Sequence, residues 1–403
     1  MRFLTTVGLL LLVQVALGCN QSAPVPTDDS LDPLYVDPAT RDFSQNPEML
    51  ERVLGSPHGY LRFINVPFSQ ELCRHFGEEL VGNPPFNLHG DAHLEQYAVT
   101  DLGRGLTDFD DSSTGPAILD LMRFGTSLYL ATDARGWGDR ADTIYDEFLR
   151  GYRVALVDPS TEAPEPTVVR RLQAEFEYDR GKYFEWVSSI MEPVSADEGH
   201  ELMEAMTSYF DAMLRNAPEL GTHYFDVQDV GYLKMGIGSA LDIKYLVRIR
   251  GSSDDPGDDI VLEVKQVRDL TGIDCISVGL GSDPYRILIG QSGIAYQPYE
   301  LLGYVRMRDL TFWVHAWVDN YTEVAIDQTF QSPEELAEVA YDIGVQLGRG
   351  HPTHFEPPLD VQARFDQIRL LDLHETELKT ECRNFANRVT AAWNRFRTAA
   401  ASD

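Results

Sequence analysis

Apolar residues in the first half of the chain recur at spacings of three and four, whereas part of the second half alternates apolar with polar. A helix returns a side chain to the same face about every 3.6 residues and a strand about every two, so the two patterns predict different elements. Residues 46–80 read as helical around SPHGYLRF. In 116–134, PAILDLMRFGTSLYLATDA, Pro116 takes a first-turn position ahead of apolar residues, which predicts a buried helix. Helical spacing continues through 139–157, 164–190 and 197–216. Near residue 225 the pattern changes. YLKMGIGSALDIKYLVRIRG is β-like, SSDDPGDD forms a turn, and IVLEVKQV alternates as a strand. RILIGQSGIAY and LLGYVRMRDLTFWVHAWV predict further strands, making 225–325 a mostly antiparallel sheet. Helix returns at 332, where Ser332 and Glu335 open SPEELAEVAYDIGVQLGRG as a capping box, and 359–400 holds one or two more helices. The class is therefore α+β: a helical lobe over 46–220, a β lobe over 221–330 and helices over 331–403 that complete the helical lobe.

The N-terminus stands apart from this body. Residues 1–18, MRFLTTVGLLLLVQVALG, carry one early cation and an apolar run of signal-peptide length. Ala16-Leu17-Gly18-Cys19 resembles a bacterial lipoprotein lipobox, which implies cleavage before Cys19 and lipidation of that residue. An ordinary secretory signal or an anchor helix is the alternative. Residues 19–45, rich in Ser, Pro, Asp and Thr, read as a disordered tether. The expected location is exported and membrane-anchored, periplasmic or at the cell surface, with the lipid at Cys19 the only membrane contact. No other run is long enough to span a bilayer. Charge adds an exclusion: 33 basic residues against 64 acidic ones give −31, a surface that repels nucleic acid. Cys73, Cys275 and Cys382 are odd in number and in no metal-binding spacing. Buried free thiols are the expectation; a disulfide between two of them is the alternative, and the sequence does not name the pair.

Candidate chemistry concentrates in Asn87–Asp111, NLHGDAHLEQYAVTDLGRGLTDFDD. HGDAH reads as a loop and LTDFDD as a short strand ending in carboxylates. One carboxylate there can take a proton from an attacking hydroxyl while another holds Mg²⁺ on a phosphate. Some, such as Asp101 and Asp111, read equally as turn residues. Only five lysines occur: Lys182, Lys234, Lys244, Lys265 and Lys379. Three lie between 234 and 265, beside Met235-Gly236-Ile237-Gly238-Ser239, a glycine turn whose N–H groups can approach a phosphate. Lys265 lies in a strand, with Glu263 on the same face as a candidate partner; a plain β-turn and a solvated lysine are the alternative. His351 and His354, with Arg349, read as satisfying helix-end carbonyls, and Trp313, His315 and Trp317 as one packed strand face.

Several ordered segments carry a family resemblance: GYLRF at 59–63, HGDAHLEQY at 89–97, LTDFDD at 106–111, LDLMRF at 119–124, VGYLKMGIGSALDIKYLV at 230–247, LEVKQV at 262–267 and IGQSGIAYQPYELLGYVRMRDL at 289–310. Over nearly all of the chain from about residue 46 it resembles the bacterial family catalogued as domain of unknown function 2252. That family is similar to the two-lobed kinase-like fold of aminoglycoside and choline phosphotransferases. The resemblance implies Asp91 as catalytic base, Gln96 and Asp108 as Mg²⁺ ligands with Asp110 as a further one, and Gly236, Gly238, Ser239 and Lys265 holding a nucleotide such as ATP. Here the β lobe follows the HGD loop, so the chain reads as a circular permutation of that fold. Gln96 stands where the family pattern has Asn, and Glu263 where it has a small apolar residue. Three functions follow: an Mg²⁺-dependent phosphotransferase or nucleotide-dependent transferase, an exported lipoprotein that binds a small molecule or partner in a catalytically silent cleft, and a metal-dependent hydrolase using His89, Asp91, His93 and Asp108.

Overall fold

A computed structural model of the chain describes residues 32–44, 46–77, 84–233, 242–279 and 283–401. The signal, Cys19 and the glycine-turn residues Gly236, Gly238 and Ser239 lie outside the described residues.

The body opens with α1 (Pro47–Gly55), α2 (Pro57–Phe63) and α3 (Asn65–His75). Asn46 and Ser56 start the first two: each side chain accepts an N–H three residues on, and a proline follows each. Two short antiparallel units come next. The strand β1 (Phe86–Leu88) leads to β2 (Tyr97–Thr100) and β3 (Arg104–Leu106), and β4 (Ser113–Gly115) returns to pair with β1. Then α4 (Ile118–Ala134) runs through the core with all but its last two residues buried, the fate of a helix apolar on every side. It is followed by α5 (Ala141–Val157), α6 (Thr167–Gln173) and α7 (Arg180–Ile190), then strand β5 (Met191–Pro193) and helix α8 (Ala196–Asn216).

The strands β6 (Val227–Leu233), β7 (Lys244–Ile249), β8 (Ile260–Gln266), β9 (Gly303–Met307) and β10 (Leu310–Ala316) join β5 in a six-stranded sheet, ordered β5-β6-β7-β8-β10-β9. The pairings are antiparallel, as the alternation predicts. Successive side chains leave opposite faces. Tyr245, Val247, Val264 and Phe312 pack under Leu202, Met206 and Tyr209 of α8. On the other face Leu246 and Val261 pack with Tyr183, Phe184 and Val187 of α7. That second face also carries Lys244, Lys265 and Trp313, which lie side by side in register across β7, β8 and β10.

The segment RILIGQSGIAY departs from its predicted strand: α9 spans Tyr285–Ile294. Its buried residues Arg286, Ile287, Gly290, Gln291 and Ile294 fall on one helical face, and a short apolar run with two glycines fits either period until packing decides. Beyond β11 (Tyr321–Glu323), which adds to β2, come α10 (Pro333–Gly350), capped by Ser332, and α11 (Leu359–Ala400), one continuous helix of 42 residues. Gly344 and Gly348 let α10 lie on α5 so closely that a Cβ at either would overlap the carbonyls of Phe148 and Tyr152. The two ends of the body meet. Arg388 on α11 donates to Asp32 at 2.8 and 2.9 Å, and Trp393 donates to Val53 O at 3.1 Å.

The expectation of free thiols is corrected. Cys73 at the end of α3 is disulfide-bonded to Cys275, 202 residues away, and Cys382 alone stays a buried thiol. Folding brings α3 against the segment after β8, which spacing along the chain cannot reveal. No helix among the described residues is long and apolar enough to cross a membrane.

Candidate functional site

The HGD loop between β1 and β2 is fixed from below by α4. Asp120, in the first turn of that helix and wholly buried, accepts the N–H of His89 at 2.7 Å and of Gly90 at 2.9 Å. His351, just past α10, places Nε2 3.1 Å from the same carboxylate, with Tyr152 OH 2.8 Å from its Nδ1. Burial pushes the Asp120 carboxyl up, but these donors outweigh it and hold the group below its ordinary value. Gly90 has φ +82°, and a Cβ there would overlap Asp111 O, so the turn needs glycine twice over. The imidazole of His89 is spent on the loop itself: Nε2 lies 2.9 Å from Thr107 O and Nδ1 accepts from Asp91 N at 3.2 Å.

Asp91 therefore projects from an immobilised turn. Its carboxylate meets Arg123 of α4, with Nε at 2.5 Å and Nη2 in ion-pair contact, and Gln96 Nε2 donates to it at 3.4 Å. Burial raises the Asp91 carboxyl above its ordinary value in spite of the Arg123 guanidinium. Gln96 is joined to Asp91 rather than to the acidic strand end, and among the described residues its Oε1 has no hydrogen-bond partner.

The strand β3 ends before the acidic residues, and a 3-10 turn, Phe109–Asp111, follows. Asp108 stands at the junction in a left-handed conformation, φ 58° and ψ 70°, which costs a non-glycine residue about 1 kcal/mol or more. Strain of that kind persists only where surroundings enforce it. Here they do. Arg286 of α9 donates to the carbonyls of Asp110 at 2.5 Å and Ser112 at 2.7 Å, Asn65 donates to Asp111 Oδ2 at 3.0 Å, and Arg268 bonds the same oxygen at 3.1 Å.

Across from this turn, Lys265 of β8 donates to Asp108 Oδ1 at 2.9 Å and forms an ion pair with Asp110. Trp313 Nε1 donates to Asp110 Oδ1 at 2.9 Å. The two carboxylates titrate apart. Asp110, fully buried, is pushed up by burial and then by Asp108; Asp108 is held well below the usual range, burial being outweighed by the Lys265 ammonium. Burial would lower Lys265, but Asp108 and Asp110 keep it firmly protonated. Glu263 is not the partner of Lys265. Its carboxylate lies 3.0 Å from His315 Nε2, and His315 stacks between Tyr299 and Trp313 with ring centroids 4.4 Å apart on each side.

Of the residues predicted for a site, Asp91 and Gln96 are bonded to each other, and Lys265, Asp108 and Asp110 form one contact cluster. Asp111 links the two groups through Asn65, which also donates to Gly90 O at 3.1 Å. Sequence reasoning missed Asp120 and Arg123, although two charges inside the apolar run LDLMRF are a signal in themselves, since a buried charge needs a partner. It also missed Arg268, Arg286 and Lys244. Asp108 and Asp110 set two hard carboxylates side by side, donors of the kind a divalent cation such as Mg²⁺ takes, both now engaged by Lys265, while the unpartnered Gln96 Oε1 stands apart from them beside Asp91. No group of three or more His, Cys, Asp or Glu side chains arranged to hold a metal occurs among the described residues.

Fold and site together define an α+β protein with a buried carboxylate–ammonium centre where an antiparallel sheet meets a helical body. The chain belongs to the family described as an uncharacterized protein conserved in bacteria, DUF2252, whose model matches residues 44–186 and 171–399. No curated protein and no solved structure matches the chain.

Proposed function

We propose that the protein is a kinase-like phosphotransferase, or a related nucleotide-dependent transferase, working with Mg²⁺ in the cleft between sheet and helical body. The observation that carries this reading is the Lys265–Asp108–Asp110 cluster, built on a left-handed Asp108, beside a separately anchored Asp91. Asp108 and Asp110 would hold the cation, which when bound would neutralise phosphate charge. Lys265 would then be free to turn from the carboxylates to phosphate oxygens. Asp91 would accept the acceptor hydroxyl's proton, and burial raises its proton affinity above that of an ordinary carboxylate. Two contacts support the permuted order. His351 after α10 reaches the Asp120 that holds the HGD loop, and α11 packs against the start of the body, so a join of the chain's two ends would be short. The disulfide supports export, since such bonds persist in oxidising compartments.

A silent binding cleft is the second reading, favoured by the Arg123 ion pair that occupies Asp91. A metal-dependent hydrolase is less well supported, because both ring nitrogens of His89 are engaged. The test is thermal unfolding with ATP, with and without Mg²⁺. An Mg²⁺-dependent rise that vanishes in Asp108→Ala supports the cleft, and turnover of ATP that is lost in Asp91→Asn separates the enzyme from the silent form. A rise that survives Asp108→Ala refutes the assignment of the metal ligand.

A further inference from the structure

Lys244 opens β7 directly opposite Lys265 on β8, so two ammonium groups leave the same sheet face on neighbouring strands. Both residues are more than nine-tenths buried. Their surroundings differ. Each nearby carboxylate already has a partner: Asp108 and Asp110 hold Lys265, Asp111 and Asp242 hold Arg268 at 3.1 and 2.6 Å, and Glu263 holds His315. Among the described residues, no ion pair within 4.0 Å and no hydrogen bond engages the Lys244 ammonium. A buried cation beside a second cation is costly, and it is tolerated where an anion completes it. Burial, with Lys265 second, lowers the proton affinity of Lys244 against the opposing pull of Glu263, Asp108 and Asp110, none of which contacts it.

We propose that Lys244 is a second anion-binding lysine, which with Lys265 grips a linear phosphoanhydride chain, the group shared by nucleoside triphosphates and inorganic polyphosphates. This deepens the phosphotransferase reading and rests on it. A single phosphate could be served by Lys265 with a cation on Asp108 and Asp110. The additional ammonium one strand over supplies positive charge for a neighbouring phosphoryl group. Cross-strand neighbours in an antiparallel pair lie about 5 Å apart, a span that lets the two ammonium groups meet oxygens on different phosphoryl groups of one anhydride chain. With a cation on the carboxylates, the pair supplies more positive charge than one phosphate needs and so favours ligands with at least two linked phosphates.

The probes are ATP, sodium tripolyphosphate and AMP, each with Mg²⁺, titrated calorimetrically into the whole protein, wild type and Lys244→Met. Methionine keeps the apolar stem and removes the charge. Loss of one charge-assisted contact should weaken tripolyphosphate or ATP about 10- to 100-fold and leave AMP unchanged, with Lys244→Arg restoring most of the affinity. Binding of ATP without tripolyphosphate identifies the nucleotide as the source; binding of both identifies the phosphate chain alone. Wild-type binding that Lys244→Met preserves within about threefold overturns this inference and leaves the phosphotransferase reading standing. Absence of wild-type binding to either polyphosphate overturns both. Should Lys244→Met fail to fold, acetylation of the wild type followed by mass spectrometry decides. Tripolyphosphate or ATP should protect Lys244 and not the exposed Lys182 (side chain 62% accessible), and equal labelling with and without ligand refutes the assignment.

Discussion

Replacing Asp120 by Asn tests whether the helical core holds the HGD loop. The wild-type carboxylate accepts three hydrogen bonds: Gly90 N on Oδ1, and His89 N with His351 Nε2 on Oδ2. Asparagine offers one acceptor oxygen in place of two, and its NH₂ must then face one of those donors. One buried N–H is left unpaired, at about 1–3 kcal/mol, and the remaining bonds lose the charge that strengthens them, at roughly another 1–2 kcal/mol. The total is about 3–4 kcal/mol, a large share of a typical stability of about 5–15 kcal/mol. Unfolding entropy of about 2.1 cal/mol/K per residue makes each kcal/mol worth roughly 1.3 °C in a body of this length, so Tm should fall by about 4–5 °C.

The pH dependence of that loss is a second signature. Because the folded-state pKa of Asp120 is depressed, its stabilisation is present above the ordinary carboxylate range and disappears as pH falls through the folded value. The gap between wild type and Asp120→Asn should therefore be widest near neutral pH and close in acid. Calorimetry or urea unfolding at pH 7 and pH 3 measures both, with Asp372→Asn as a control at an exposed pair with Arg153, where less than about 1 kcal/mol is expected. A Tm within about 1 °C of wild type at pH 7, or a gap that does not change with pH, refutes the anchoring role.

Two further outcomes follow from the acidic turn and the disulfide. Asp110 is pushed up to about 7, so relative to the unfolded chain it favours the fold below the ordinary carboxylate range and loses that advantage as pH rises through about 7. Asp110→Asn, which keeps an acceptor for Trp313 Nε1 but gives up the Lys265 ion pair, should gain on wild type as pH rises from 4 to 9; parallel urea midpoints across that range would refute the shift. Reducing Cys73–Cys275 opens a loop of 202 residues, worth up to about 5 kcal/mol on chain entropy alone, so dithiothreitol should lower the urea midpoint markedly and leave the Cys73→Ser/Cys275→Ser double variant unaffected.

The pattern of apolar positions disclosed most of the architecture because the main helices are either long and apolar, like α4, or clearly periodic, like α10, and the longer strands alternate. It failed at α9, where ten residues with two glycines carry too few turns to fix a period, and packing against Ser112 and Asn87 makes the choice. The site was half legible. Asp91, Asp108, Asp110 and Lys265 stand out because polar groups crowd a loop or interrupt a strand, and the fold gathers the last three into one cluster. Asp120 and Arg123 were hidden by their setting, since a helix that is otherwise apolar reads as core and its charges as incidental. Their partners, the HGD backbone and Asp91, lie some 30 residues upstream, a separation that no local period encodes.

Which cation stands where is itself an argument about function. The chain has 33 basic residues, of which five are lysines, leaving 28 arginines. Every arginine at the site is structural. Arg123 binds Asp91 and Leu61 O, Arg268 joins Asp111 to Asp242, and Arg286 ties Asp110 O, Ser112 O and Arg268 O together. A planar fork that meets several acceptors at once suits such bracing, whereas a compact ammonium on a flexible stem suits a ligand that arrives and leaves. Two of the five lysines, Lys244 and Lys265, are buried side by side on one sheet face of a chain whose cations are mostly arginine. If their role were only to neutralise the acidic turn, the arginine used for bracing elsewhere at the site would serve. Their identity as lysines, more than their charge, points to an exchangeable anion.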